Sequence, residues 1–259
     1  MQKFITFLVR KIPRPILIKF SFLFSKLTSV FYKGNKYKCP VCQNEFRKLL
    51  PYGNKGVDNR LCPSCLSLER HRLLWLFLKE KTDFFERKIK LLHIAPEQPF
   101  LKKFKNLSNL EYITADLVSP IADVKLDIQN IPFAENEFDV VFANHVLEHI
   151  PDEHKAISEV FRILKNGGWA IMQVPLDVKR NTTYEDSSIV TPSEREKHFG
   201  QYDHLRLHGL DFAQRLEKGG FKVEIIDLVS EIGIEKSDYY RLDNTEKIYL
   251  CKKNTNDTK

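Results

Sequence analysis

Between Lys88 and Cys251 the chain alternates short apolar runs with stretches of helical period. The runs are Ile89–Ala95, Tyr112–Ala115, Phe138–Ala143, Trp169–Val174, Phe221–Leu228 and Lys247–Cys251. Strands covered on both faces read as continuous apolar runs, and strand–helix alternation is the mark of a parallel sheet. The pattern predicts an α/β domain with a mostly parallel sheet. Ligands bind such sheets at the carboxyl ends of the strands, near the point where strand order reverses. The loops after the first, second and fourth strands therefore carry the most weight.

Upstream the pattern changes. After a break at Pro13 and Pro15, the apolar residues from Ile16 to Phe31 are interspersed with lysines and predict an amphipathic helix. No Asp or Glu precedes Glu45, while Lys3, Arg10, Lys11, Arg14, Lys19, Lys26, Lys33, Lys36 and Lys38 punctuate the segment. Such a helix suits an anionic membrane surface, or an arm packed on its own domain. Arg10, Lys11, Arg14 and Lys19 interrupt any export signal of roughly 7–15 apolar residues or span of roughly 20. A cytoplasmic protein is expected, with peripheral contact at the inner face of the membrane as the membrane reading. From Leu66 a second amphipathic helix is predicted, whose Arg70, His71 and Arg72 either face a substrate or form a solvated end.

With 259 residues, 42% of them hydrophobic, the chain can bury one α/β core and still carry a small appendage. Cysteine placement says what that appendage is. Cys39-Pro-Val-Cys42 and Cys62-Pro-Ser-Cys65 are two C-x-x-C knuckles separated by a spacer containing Gly53, Asn54 and Gly56, and Cys251 stands far off. Each knuckle puts two sulfurs on one side of a tight turn, and two knuckles close a tetrahedron at Zn–S distances of roughly 2.3 Å. Four thiolates leave no open position, so structural zinc is expected, with the metal supplying most of the module's folding free energy. A redox role is the competing reading, but a redox C-x-x-C is more usually single and opens a helix after a strand. The net charge of +7 favours nucleic acid, an anionic membrane or an anionic substrate alike, and its sign does not choose among them.

The first strand of the α/β domain runs into His93-Ile-Ala95-Pro96-Glu97, and the second ends about twenty residues later at Asp116-Leu117. A carboxylate capping the second strand accepts hydrogen bonds from vicinal ribose hydroxyls in nucleotide-binding α/β folds. Asp116 is thus the leading cofactor residue. Further on stand Lys125-Leu126-Asp127-Ile128-Gln129, then Phe138–Ala143 with Asn144-His145-Val146-Leu147-Glu148-His149, then Glu159–Gly168 and a strand ending at Pro175. From Lys88 to Cys251 the chain resembles the class I S-adenosylmethionine-dependent methyltransferases, particularly the subgroup acting on small molecules.

That resemblance implies a Rossmann-like, mostly parallel seven-stranded sheet with helices on both faces, and S-adenosylmethionine as cofactor. It implies that Asp127 and Ile128 border the adenine, Asp116 holds the ribose, and Asn144 and His145 close over the methionine portion. The family's first-loop acid and glycines fall on His93, Ala95 and Glu97, a departure that stiffens the turn. Glu97 then offers a carboxylate to the methionine amino group. For Asp127 the competing reading is a turn or helix-cap carboxylate; for His145, Glu148 and His149 it is packing and loop geometry, against a catalytic role for His149.

After the fifth strand comes a polar insertion holding Tyr184, Arg195, His198, Gln201, Asp203, His204, Arg206 and His208. Long loops at this edge cover active sites. Methyl transfer from an activated sulfonium is chiefly alignment, with a base needed when the acceptor carries a proton. His198 and His204 are the candidate bases, and Tyr184, Arg195, Gln201 and Arg206 the candidate substrate contacts, with Asp203 beside them as an orienter of an imidazole. The competing reading is a salt-bridged, charge-rich loop.

The expected layout is a basic segment over 1–35, a zinc module and linker helix over 36–86, a methyltransferase domain over 87–253 and a polar tail over 254–259. Methyl transfer to oxygen or nitrogen of a small or carbohydrate-like acceptor is the leading function. An RNA methyltransferase would use Arg60, Arg70, Arg72 and the basic N-terminus on phosphates, but the module has no aromatic series for base stacking. The altered first loop motivates a third reading, a non-catalytic cofactor-binding scaffold.

Overall fold

A computed structural model of the chain describes residues 25, 27, 29–53 and 56–254. Most of the expected N-terminal helix, with its membrane or packing role, and residues 255–259 of the polar tail lie outside the described residues. Among the described residues no helix is long and apolar enough to cross a membrane. Two units emerge: residues up to Phe85 with Gln98–Lys103 and Asp227–Glu246, and Glu86–Glu97 with Phe104–Ile226 and the chain from Lys247.

In the first unit β1 (Lys33–Lys38) pairs antiparallel with β2 (Glu45–Phe46), and β3 (Leu50–Tyr52) with β4 (Val57–Leu61). The first cysteine knuckle fills the β1–β2 turn and the second follows β4. Helix α1 (Glu69–Lys81) then leads away. Its buried residues run almost unbroken from His71 to Leu78, wider than one amphipathic stripe. The expected solvated or substrate-facing cluster is therefore corrected in part. Arg72 is fully buried and donates to the carbonyls of Ser67, Arg60, Tyr240 and Arg241, while His71 Nδ1 accepts from Leu68 N at 2.9 Å. A buried guanidinium is tolerated because its donors meet carbonyl oxygens.

The second unit holds the sheet. Its strands are β5 (Ile89–Ile94), β6 (Leu110–Asp116) after helix α2 (Gln98–Lys105), β7 (Val124–Lys125), β8 (Phe138–Phe142), and β9 (Leu164–Ile171) after helix α3 (Glu153–Ile163). Beyond them lie β10 (Tyr184–Glu185), α4 (Pro192–Phe199), β11 (Arg206–Leu207), α5 (Phe212–Lys218), β12 (Lys222–Ile226) and β13 (Ile248–Lys252); α6 (Leu228–Ile232), α7 (Ile234–Tyr240) and Gln98–Lys103 of α2 belong to the first unit. The seven-stranded order is β12-β13-β9-β8-β5-β6-β7, parallel from β9 to β7, with β13 antiparallel to both neighbours. The predicted Rossmann-like sheet is present. β7 is the strand no apolar run announced, because two edge residues carry no periodicity.

Central strands explain the apolar runs: Leu91, Leu92, Val140, Val141, Phe142, Ala170 and Ile171 are fully buried. Each large aliphatic side chain removed from water contributes about 1.5–3 kcal/mol. Helix α3 buries Ala156, Ile157, Val160 and Ile163 at helical spacing, and Asp152 caps it by accepting from Lys155 N. β9 begins earlier than expected, at Leu164, with a register shift before Trp169. Gly168 sits in that shift, where a Cβ would come 2.9 Å from both Asp139 O and Lys165 O.

Candidate active site and metal centre

Strand β5 has β6 on one side and β8 on the other, so strand order reverses between β5 and β8. Their tips part there, and both run into left-handed residues: Ala95 at φ +50° and His145 at φ +54°. That conformation costs a residue with a Cβ roughly 1–2 kcal/mol, and such strain gathers at binding sites. Ala95 N donates to Ala115 O (2.8 Å) and His145 N to Gln173 O (2.7 Å), so the ladders on either side hold the two tips.

A cavity of about 430 Å³ opens over these tips. Ala95, Asp116, Leu117, Asp127, Ile128 and His145 line it, all named from sequence as cofactor residues. Val118, Leu126, Val146 and Ile150 complete its apolar wall, and His149 and Asp203 border it. The apolar wall residues carried no signal in the sequence beyond adjacency to the named ones. Asp116 uses Oδ1 to accept from Val118 N (2.8 Å) and Ser119 N (2.7 Å), a turn that fixes the carboxylate at the end of β6. Asp127 accepts from Gln129 N (2.9 Å) and from the Gln129 side chain, so the turn carboxylate also borders the cavity.

His93, Glu97 and Asn144 lie behind that lining. His93 is fully buried, with Nδ1 2.9 Å from Tyr112 Oη and its ring edge-on to Phe142. Burial pushes the Tyr112 hydroxyl well above its ordinary range, with a smaller push from Asp123 and Glu97. Asn144 Nδ2 donates to Glu97 Oε2 at 3.1 Å, and Asn144 Oδ1 accepts from Gln173 N at 3.3 Å. These three form a polar brace beneath the strand tips and stand outside the cavity lining.

The insertion divides in two. His198 is exposed on α4, with Nδ1 3.4 Å from Tyr184 Oη. Arg195 Nε reaches Ile189 O at 3.5 Å, and Gln201 is exposed. None of these four lines the cavity. His204 is buried, its ring edge-on to His149 with centroids 4.9 Å apart. Burial, chiefly, holds the His204 imidazole below its ordinary pKa, helped by His149 and opposed by Glu148. Glu148 is buried too; burial alone would push its carboxyl up, but His145 outweighs it and holds the group low.

Arg206 is committed to protein. Its guanidinium donates to Leu147 O (2.8 Å), Ile150 O (2.6 Å), Pro151 O (3.1 Å) and Glu185 (3.0 Å). With Glu153, Arg215 and the buried His208 it makes an ion cluster under the turn that carries His149. Burial opposes ionisation of Glu153, yet His208 and Arg215 hold its pKa down to about 2. This cluster has no local signature in the sequence, since its acid, Glu153, lies far upstream of Arg206, His208 and Arg215.

In the first unit the two knuckles match bond for bond. Gln43 N donates to Cys39 O and Leu66 N to Cys62 O, while Cys39 N donates to Asn44 O and Cys62 N to Ser67 O. Gln43 (φ +64°) and Leu66 (φ +60°) take the left-handed conformation that lets each turn reverse. The four sulfurs come within 4.8 Å of one another, with Cys39–Cys65 at 3.6 Å and Cys42–Cys62 at 3.7 Å. A disulfide would need about 2.05 Å, whereas sulfurs around zinc stand about 3.8 Å apart. The donor set fits tetrahedral zinc.

Residues 83–172 match the family model described as a methyltransferase domain. A 70-residue stretch is 36% identical to demethylmenaquinone methyltransferase of Staphylococcus carnosus, covering 27% of this chain and 24% of that protein. A 121-residue stretch is 26% identical to sterol 4-C-methyltransferase strm-1 of Caenorhabditis elegans, covering 47% and 31%. The matched stretches thus span 24% and 31% of the length of these relatives. The crystal structure of the [4+2]-cyclase SpnF superposes with a TM-score of 0.50 at 16% identity, covering 71% of this chain and 81% of that one, a likeness of fold alone. Fold and site define an α/β domain with a cleft at the strand tips. Within that class, residues 83–172 carry the similarity to methyltransferase domains, and a four-cysteine module precedes them.

Proposed function

We propose that the chain transfers the methyl group of S-adenosylmethionine to oxygen or nitrogen of a small or carbohydrate-like acceptor. The observation that carries this reading is the convergence of Asp116 and Asp127 on one cavity at the β5/β8 reversal. Asp116 would accept from the ribose hydroxyls, Asp127 with Ile128 would border the adenine, and His145 would cover the methionine portion. The cofactor supplies an electrophilic methyl on a positively charged sulfur. The protein's task is alignment, together with removal of a proton from the acceptor. His149 borders the cavity and His204 packs edge-on against His149, and a neutral imidazole is the form that accepts a proton. That pair favours an O–H or N–H acceptor over the carbon acceptor named for the sterol relative.

Zinc in the cysteine module would be structural, since four thiolates complete its coordination. Calorimetric titration of the zinc-loaded full chain with S-adenosylmethionine tests the reading. One binding site per chain is expected, with comparable affinity for the demethylated product S-adenosylhomocysteine. Absence of heat from either titrant in folded protein would refute it.

A further inference from the structure

A second group of ligating side chains stands beside the cavity. Glu148 and His149 are consecutive in the 3-10 turn Leu147–His149, and the bond from Leu205 N to Glu148 O (2.8 Å) brings the neighbouring His204 to the same place. One ligating atom from each of the three residues lies within 4.8 Å of the other two.

Two independent features suit them to a cation. The Glu148 side chain is 2% exposed, and its Oε2 has no hydrogen-bond partner, while Oε1 is 3.5 Å from His145 Nδ1. A buried carboxylate oxygen with nothing donating to it is costly, and a bound cation removes the cost. Each imidazole also has its Nδ1 near a main-chain carbonyl, Asp203 O at 3.3 Å for His149 and Phe199 O at 3.2 Å for His204. A carbonyl only accepts, so Nδ1 carries the proton and Nε2 presents its lone pair, as in metal-ligating histidines. Asp203 Oδ2, 3.5 Å from His149 Nδ1, reinforces that orientation.

The geometry points to a divalent-cation site formed by Glu148, His149 and His204 at the edge of the cavity. Two imidazoles and one carboxylate select a first-row transition ion such as Mn²⁺, Fe²⁺, Co²⁺ or Zn²⁺ over Mg²⁺ or Ca²⁺, which prefer oxygen shells. Three protein ligands leave positions open for a further ligand. His149 also lines the cavity, so an acceptor hydroxyl on the ion would share the space with the methyl donor. This use of the ion rests on the proposed methyl transfer. With the ion bound, His149 and His204 are its ligands and no longer the proton acceptors: the coordinated hydroxyl releases its proton to solvent, its oxygen pair forms the O–CH₃ bond, and the pair of the broken C–S bond stays on sulfur.

The test uses the full chain with its cysteine module saturated with zinc. Cobalt(II) is titrated and followed by visible absorption, with metal content counted by atomic emission and S-adenosylmethionine affinity measured in parallel by calorimetry. One further equivalent of cobalt is expected, with ligand-field bands and no sulfur charge transfer. Its affinity should fall roughly tenfold or more in His149→Ala and in His204→Ala. His149 is half-buried, so its variant reads the site with little disturbance of packing, and the wild-type stoichiometry needs no variant at all. No equivalent beyond the cysteine site, or a second equivalent held equally well by both variants, would overturn the site. Loss of cofactor binding with the second equivalent retained would instead refute the methyl-transfer reading and leave the metal site standing.

Discussion

The cysteine module and the strand-tip cavity reach their chemistry by opposite routes. In the module each four-residue knuckle makes its own turn, and two copies of one hydrogen-bond pattern suffice to gather four sulfurs. The cavity is drawn from Ile94 to Asp203, and no pair of its neighbours explains why they meet. There the sheet order does the gathering. Sites of the first kind are fixed by local spacing and completed by a metal; sites of the second kind are fixed by topology and by buried polar braces.

The contrast is broken most severely by removing a module ligand. A structural zinc site is worth about 10 kcal/mol or more. Cys62→Ser, or chelation of the wild type, should abolish zinc retention and erase amide exchange protection across β1 to β4, while β5 and β8 keep theirs. Hydrogen exchange read by mass spectrometry checks this. Retained protection in β1 to β4 would show that the module folds without its metal.

This difference also sets how much the sequence discloses. The knuckles, the parallel sheet and the turn carboxylates Asp116 and Asp127 are legible, because spacing and apolar runs are local signals. β7 is not, since two residues have no period. Nor is the commitment of Arg206 to the Leu147–Pro151 carbonyls, which separates it from the substrate-facing role its loop suggests. Charged residues in a polar insertion look alike in sequence, and only the packing shows that Arg206 and His208 turn inward while His198 stays out. Arg72 is the same lesson in the first unit.

The ion cluster beneath the cavity offers the next test. Glu153 is held at about 2 in the folded protein against an ordinary value of 4.5. That depression contributes stability fully present above about pH 4.5 and lost as pH falls toward 2, on the order of 3 kcal/mol. Glu153→Gln should therefore lower urea stability by about that amount at pH 7, and the gap should narrow steadily below pH 4.5. A gap independent of pH would mean the cluster is held by shape and not by charge.

Within the cavity, Asp116→Asn keeps an oxygen for the Val118 and Ser119 amides but removes the charge on which the proposed ribose contact depends. A hydrogen bond to a charged group is worth about 1.5–3 kcal/mol, so S-adenosylmethionine should bind roughly ten- to hundredfold more weakly. Urea stability should stay within about 0.5 kcal/mol. Asp127→Asn should behave alike if both carboxylates rim the nucleoside. An unchanged affinity in both variants would detach the cavity from the cofactor.

The smallest effect lies at Ala95, where the strand tip takes a conformation that glycine adopts freely. Ala95→Gly should relieve about 1–2 kcal/mol of left-handed strain. Against that stand about 0.5–1 kcal/mol of extra backbone entropy and part of the roughly 0.8 kcal/mol carried by a buried methyl group, because Ala95 packs half-buried against the core. The balance predicts a gain of a few tenths of a kcal/mol, read by urea unfolding, with little change in cofactor affinity. Ala95→Val should lose more than about 1 kcal/mol, since a β-branched side chain fits a positive φ poorly. If glycine proves clearly destabilising, the Ala95 methyl is part of the packing that shapes the tip. The first loop would then be held by its side chains, and the cavity would be closer to the locally specified module than its topology implies.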